Sequence, residues 1–133
     1  MTDHPAIVRY LQQHLDGLLA VYLFGSRARG AHRPGSDFDL AVLAAQPLAA
    51  VQRFELAQEL AVLVGHDVDL IDLRQASSVL RSQVIGGGRP LYRASAPELE
   101  AFEDFVYTDY ARLNEERAAI LADIHRRGSV YGR

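Results

Sequence analysis

The chain of 133 residues contains no cysteine, which removes disulfides, thiolate metal sites and cysteine nucleophiles together and fits a reducing compartment, with the cytoplasm expected. No stretch approaches the roughly 18 consecutive apolar residues of a membrane span. The opening Met1-Thr2-Asp3-His4-Pro5 lacks a basic segment followed by an apolar run, so neither a membrane helix nor an export signal is expected. Positive charge is also scarce. A formal net charge of -3 and a pI near 5.9 leave no broad footprint for a phosphate backbone, and nucleic acid is not an expected partner. The positive charge that exists is gathered: Arg27, Arg29, His32 and Arg33 stand just ahead of an acidic pair. That placement suits one small anionic ligand.

What is present suffices for one core, since 49% of the residues are hydrophobic and the length lies in the usual range of one domain. A single domain over 1–133 is expected, with a core over about 5–93 and a C-terminal helix over about 96–127. Ile7, Val8, Leu11 and Leu15 recur at helical intervals after Pro5, which a first turn tolerates. Leu18 to Phe24 reads as a buried strand closed by Gly25, and Phe38 to Leu43 as another after the turn dipeptide Pro34-Gly35. Val51, Phe54, Ala57, Leu60, Ala61 and Val64 form a helical stripe over 47–64, capped by Gly65.

His66 to Leu73 is a third strand candidate, Ser77 to Ile85 a short helix, and Arg89 to Tyr92 a last short strand. Ser95 with Glu98 and Pro97 reads as a capping box opening the long last helix. Its apolar stripe runs from Leu99 through Phe102, Phe105, Val106, Tyr110 and Leu113 to Ile120, Leu121 and Ile124. Most of it reads as packing, Tyr107 and Tyr110 included. A helix of about thirty residues is roughly 45 Å long, more than a small domain covers, so Arg112 to Arg127 is a candidate docking surface. No repeat or low-complexity segment interrupts the pattern. The order of elements predicts an α/β fold, a small mixed β-sheet flanked by helices, with the strand order left open.

Chemistry concentrates in Phe24-Gly25-Ser26-Arg27-Ala28-Arg29-Gly30 and Ser36-Asp37-Phe38-Asp39-Leu40. Gly25 at a strand end lets backbone approach a ligand, and Ser26 offers a hydroxyl and an N–H at an expected helix start, where amide dipoles favour phosphate. Arg27, nearer the turn than Arg29, is the candidate for an added phosphate contact. Asp37 and Asp39, two apart at a strand start, point to one face with Phe38 on the other. Two carboxylates beside an anion cradle suit Mg²⁺, which takes oxygen ligands and shares them with substrate phosphates. A third carboxylate is expected from Asp67, Asp69 or Asp72 in the next strand, and this third aspartate can also take the proton of an attacking hydroxyl. In-line attack on an α-phosphate is the reaction class this set implies.

Gly25-Ser26, ten intervening residues and then Asp37-Phe38-Asp39 resemble the signature of the DNA polymerase beta nucleotidyltransferase superfamily. The wording Gly-Ser-Arg-Ala-Arg-Gly, the strand Asp-Val-Asp-Leu-Ile-Asp-Leu and the short length are similar to the minimal nucleotidyltransferase (MNT) antitoxins. The resemblance implies that fold, with a long C-terminal helix, and a partner, the HEPN-domain ribonuclease toxin, whose tyrosine would receive AMP from ATP. It implies that Gly25 and Ser26 hold the triphosphate, that Asp37 and Asp39 bind Mg²⁺, and that Asp69 is the third carboxylate. In the family's pattern that acid precedes a short apolar pair, as Asp69 does; Asp67 shares its face by alternation and Asp72 does not. Two other readings stand beside it: an antitoxin that only occludes its toxin, and a nucleotidyltransferase acting on a small molecule. Taken singly, Ser26 could be a helix cap and the aspartates turn residues. His32 and His66 are given no role.

Overall fold

Short apolar runs become strands and longer amphipathic ones become helices along the whole chain. The computed structural model describes residues 4–28, 30 and 37–127. In chain order the elements are α1 (His4–His14), β1 (Leu18–Phe24), β2 (Phe38–Ala44), α2 (Ala50–Val64), β3 (Val68–Asp72), α3 (Ser78–Gly87), β4 (Arg89–Arg93) and α4 (Pro97–Arg126). The strands form one sheet in the order β3-β2-β1-β4. β1 pairs antiparallel with both β2 and β4, while β2 and β3 are parallel. A parallel pair needs a crossover, and α2 supplies it.

Alternation along the strands feeds two cores. Phe38, Leu40 and Val42 of β2 point to one face, where they meet Ile7 and Leu11 of α1 and Leu56 and Leu60 of α2. Ala41 and Leu43 point to the other, where Tyr22 of β1, Val84 of α3 and Leu99 of α4 close the second cluster. Sheet and helices thus make the α/β sandwich expected of the polymerase beta-like fold, with helices on both faces.

Three local expectations are corrected. Helix α2 begins at Ala50, so Pro47 lies outside it. Within α2 the buried residues are Leu56 and Leu60, whereas Val51 and Phe54 face solvent; the helix carries apolar residues on most sides, so periodicity alone could not select the face that packs. The capping box does not form: Ala96 is the N-cap, without a side-chain bond, which sets Ser95 one position outside and Glu98 at the second helical position. Glu98 and Glu100 still place negative charge at the positive end of the helix dipole.

The stripe of α4 is only partly packing. Leu99 and Val106 are buried and Phe102 half-buried, but Phe105, Tyr107, Tyr110, Ile120, Leu121 and Ile124 are exposed. A network missed in the sequence fixes the first half of α4 to the sheet: Tyr22 Oη donates to Glu103 Oε2 at 2.5 Å, and Arg93 of β4 pairs with the same carboxylate. No spacing rule connects residues so far apart in the chain. No described helix is long and apolar enough to cross a membrane.

Candidate functional site

Strand β1 runs apolar to Phe24 and then stops at Gly25, whose φ of +73° is open to glycine and strained for L side chains. A second reason keeps the position bare. A Cβ built there would collide with Asp39 Oδ2 and stand 3.2 Å from Asp39 Cγ. The turn backbone and the Asp39 carboxylate therefore lie in contact. Ser26 follows in the same turn. Residues 25–28 form a turn, held by Gly30 N–H donating to Arg27 O at 3.3 Å, where a short helix was expected; Arg29, Pro34-Gly35, His32 and Arg33 lie outside the described residues.

Register brings the carboxylates together. Asp39 of β2 stands opposite Phe24 of β1 and, in the parallel pair, opposite Asp69 of β3. Neighbouring strands are roughly 5 Å apart, so the two acids are adjacent on one face, the face of Ala41 and Leu43. Asp37, one residue before β2, is exposed, as is Asp69, while Asp39 is half-buried. Burial, then the charge of Asp69, then that of Asp37 push the Asp39 carboxyl above its ordinary value. Like charges gathered at a partly desolvated position have that effect. Asp67, also exposed, contributes its carbonyl, which accepts from Phe38 N–H at 2.8 Å and seals the start of the β2/β3 pair.

Phe38 points into the opposite core, 1% exposed. Its ring carries the Arg27 guanidinium, whose Cζ lies 4.0 Å from the centroid, and Arg27 Nε donates to Asp37 O at 3.3 Å. His66 tilts against the same ring at 5.8 Å. Arg27 thus ties the Gly25 turn to the start of β2, on the side of the sheet away from Asp39. The platform role of Phe38 was not anticipated, and no spacing signal announces it.

Asp72 ends β3 on the other face and belongs to a different environment. It is 4% exposed, and its carboxylate accepts from Leu48 N–H at 2.8 Å, Arg74 N–H at 3.0 Å and Gln75 Nε2 at 2.7 Å. Three donors make it a structural clasp on the loop before α2. The alternation that set Asp72 apart from Asp69 in the sequence holds in the sheet.

A mixed sheet with a strand-turn glycine against a carboxylate triplet defines a nucleotidyltransferase of the polymerase beta type. Residues 6–96 match the sequence profile of that family, described as polymerase beta, nucleotidyltransferase, and the chain belongs to it. Within the family it is 42% identical over 118 residues to the protein adenylyltransferase MntA of Shewanella oneidensis, covering 89% of this chain and 84% of that protein. Two solved structures are similar as well. One is a toxin–antitoxin with AMP-PNP, 40% identical, with a TM-score of 0.81 and covering 92% of this chain and 98% of that one. The other is an MNT antitoxin in complex with the tri-AMPylated HEPN toxin of Shewanella oneidensis, 38% identical, with a TM-score of 0.74 and covering 92% and 95%.

Proposed function

We propose that this chain transfers AMP from ATP to a tyrosine of a cognate HEPN ribonuclease toxin, in the cytoplasm, and so acts as its antitoxin. The single observation carrying the chemistry is the in-register pair Asp39 and Asp69, on one face, with the Gly25 turn packed on Asp39. The acceptor is argued from the relatives, one named a protein adenylyltransferase and another solved with an AMPylated HEPN toxin. ATP as donor is supported by the AMP-PNP complex of a third.

The residues fit Mg²⁺. Their donors are all carboxylate oxygens, and the charge that raises the Asp39 carboxyl is relieved by a cation beside it. Among the described residues no three His, Cys, Asp or Glu groups already form a cage, and Mg²⁺ needs none, because it usually takes one or two carboxylates with substrate phosphates and water. Asp37, Asp39 and Asp69 would hold it. When bound it supplies charge compensation for the phosphates and a lowered pKa for a coordinated hydroxyl.

The chain's own groups do the rest. Gly25 and Ser26 seat the triphosphate through backbone N–H and hydroxyl, and Arg27 keeps that turn against β2. The tyrosine oxygen forms a bond to the α-phosphorus while the bond to the bridging oxygen of pyrophosphate breaks, and Asp69 takes the phenolic proton. Attack and departure are in line.

The test is incubation of the chain with α-labelled ATP, Mg²⁺ and the purified cognate HEPN protein. Label on the toxin, abolished by Asp39→Ala, is expected; no label, with wild type and variant alike, removes the proposal. A second reading, neutralisation by occlusion alone, draws on the fact that relatives form complexes with the toxin stable enough to crystallise. It is favoured if Asp37→Ala and Asp39→Ala still neutralise the toxin in cells.

A further inference from the structure

The apolar seam of α4 does not stop where the domain stops covering it. Leu99, Val106, Leu113 and Ile120 recur every seven residues, a spacing that keeps one stripe facing a packed helix. Its first half is spent inside the molecule: Leu99 and Val106 are buried, and Tyr107 Oη reaches Ile85 O of α3 at 3.4 Å. Its second half opens to solvent: Leu113 is half-buried, Ile120 60% exposed and Ile124, four residues on, 53%. Between this half and α3 runs a groove of about 460 Å³, lined by Val79 and Gln83 of α3 and by Tyr110, Leu113, Arg117 and Ile120 of α4. Apolar floor, aromatic wall and polar ends are what a helix-in-groove contact requires.

Among the described residues two apolar surfaces are exposed, this seam and one other, and their positions in the fold distinguish them. The other lies on α2, where Val51, Phe54 and Val62 are exposed, on the sheet face away from the aspartates. Asp39 alternates with Ala41, whose side chain packs under α3 and α4, so the α3/α4 groove and the carboxylates share one face of the sheet. A protein substrate held in the groove is on the side from which a side chain can reach Asp39 and Asp69; one held on α2 has the sheet in between. Relatives solved with a HEPN toxin match 92% of this chain, a span too large to leave α4 out.

We infer that the groove between α3 and the distal half of α4 is the docking site for an apolar helix face of the HEPN toxin. The inference rests on the toxin being the partner, as proposed above, but not on the transfer reaction. Ion pairs of Arg112 with Asp109 and Glu116 flank the seam and leave the apolar stripe as the attractive element.

The experiment measures the affinity of the purified full chain for its purified cognate HEPN toxin by calorimetry, for wild type, Leu113→Asp, Ile120→Asp and the α2 control Val62→Asp. Helix content is checked by circular dichroism; Ile120 lies outside the core, so its variant keeps the fold even where Leu113→Asp does not. Ile120→Asp is expected to weaken toxin binding roughly tenfold or more, with AMP-PNP affinity in Mg²⁺ unchanged and Val62→Asp binding as wild type. Unchanged toxin affinity in Ile120→Asp overturns the inference, as does an equal loss in Val62→Asp. Self-association of the wild-type chain that Ile120→Asp abolishes while toxin affinity stands assigns the groove to a second copy and overturns it too. Toxin that binds through the groove yet acquires no label sinks the proposed reaction and leaves the docking site standing.

Discussion

The two ends of the β2/β3 pair handle negative charge in opposite ways. At the leading end Asp37, Asp39 and Asp69 crowd together, and the Asp39 carboxyl is pushed up by burial and by its neighbours' charge. At the trailing end Asp72, more deeply buried, meets three donors from Leu48, Arg74 and Gln75. One end is left crowded with like charge, and under the proposed function it would take up a cation and a polyphosphate; the other has its charge met by three donors and holds the fold. Depth of burial alone does not set the two environments apart. The company each carboxylate keeps does.

Substitution should separate the two ends cleanly. Asp69→Ala is expected to lower the AMP-transfer rate by roughly 10³-fold, the scale of a lost metal ligand and proton acceptor, while the melting temperature holds or rises, because an exposed acid that repels Asp39 is gone. Gly25→Ala comes next: a β-carbon in the left-handed region costs about 1–2 kcal/mol, and its collision with Asp39 displaces a proposed metal ligand, expected to cost roughly 10²-fold in rate. Asp72→Ala should invert the pattern. It leaves buried donors unpaired and is expected to cost about 2–4 kcal/mol of stability in a denaturant titration, with the rate per folded molecule kept. If Asp72→Ala abolishes transfer at full stability, or Asp69→Ala unfolds the chain at full specific activity, the contrast between the ends is wrong.

Much of this was legible in the sequence because it rests on short-range rules. The end of β1 at Gly25, the Asp37/Asp39 alternation and the separation of Asp69 from Asp72 follow from glycine's conformational freedom and the two-residue period of a strand. The eight elements were also anticipated, their ends shifting by a few residues. Legibility failed wherever a decision depended on what lies across space. Helix α2 is apolar on most sides, so Leu56 and Leu60 rather than Val51 and Phe54 were chosen by the sheet they meet. The Tyr22–Glu103–Arg93 network and the Arg27–Phe38 stack join strands and helices that no local pattern pairs. Strand order, too, is a property of the assembled sheet, and with it the fact that Asp39 and Asp69 stand side by side.

The smallest expected effect tests the charge crowding directly, through stability and its pH dependence. Asp39 has a folded-state pKa above its ordinary value of 3.8, so folding favours its neutral form; the associated stability is fully present below the ordinary value and is lost as pH rises through the raised one. At neutral pH the charge on Asp39 is therefore a modest burden on the free protein. Asp39→Asn, inactive in transfer, should melt higher than wild type near neutral pH without nucleotide or Mg²⁺, and the gap should close as pH falls below about 3.9, where aspartates are neutral. In an Asp69→Asn background the gap at neutral pH should shrink, because the second of the causes raising the Asp39 carboxyl has been removed. A gap that widens in acid, or that ignores Asp69, means that the leading end is not crowded with charge and that its likeness to the trailing end is greater than the sheet register implies.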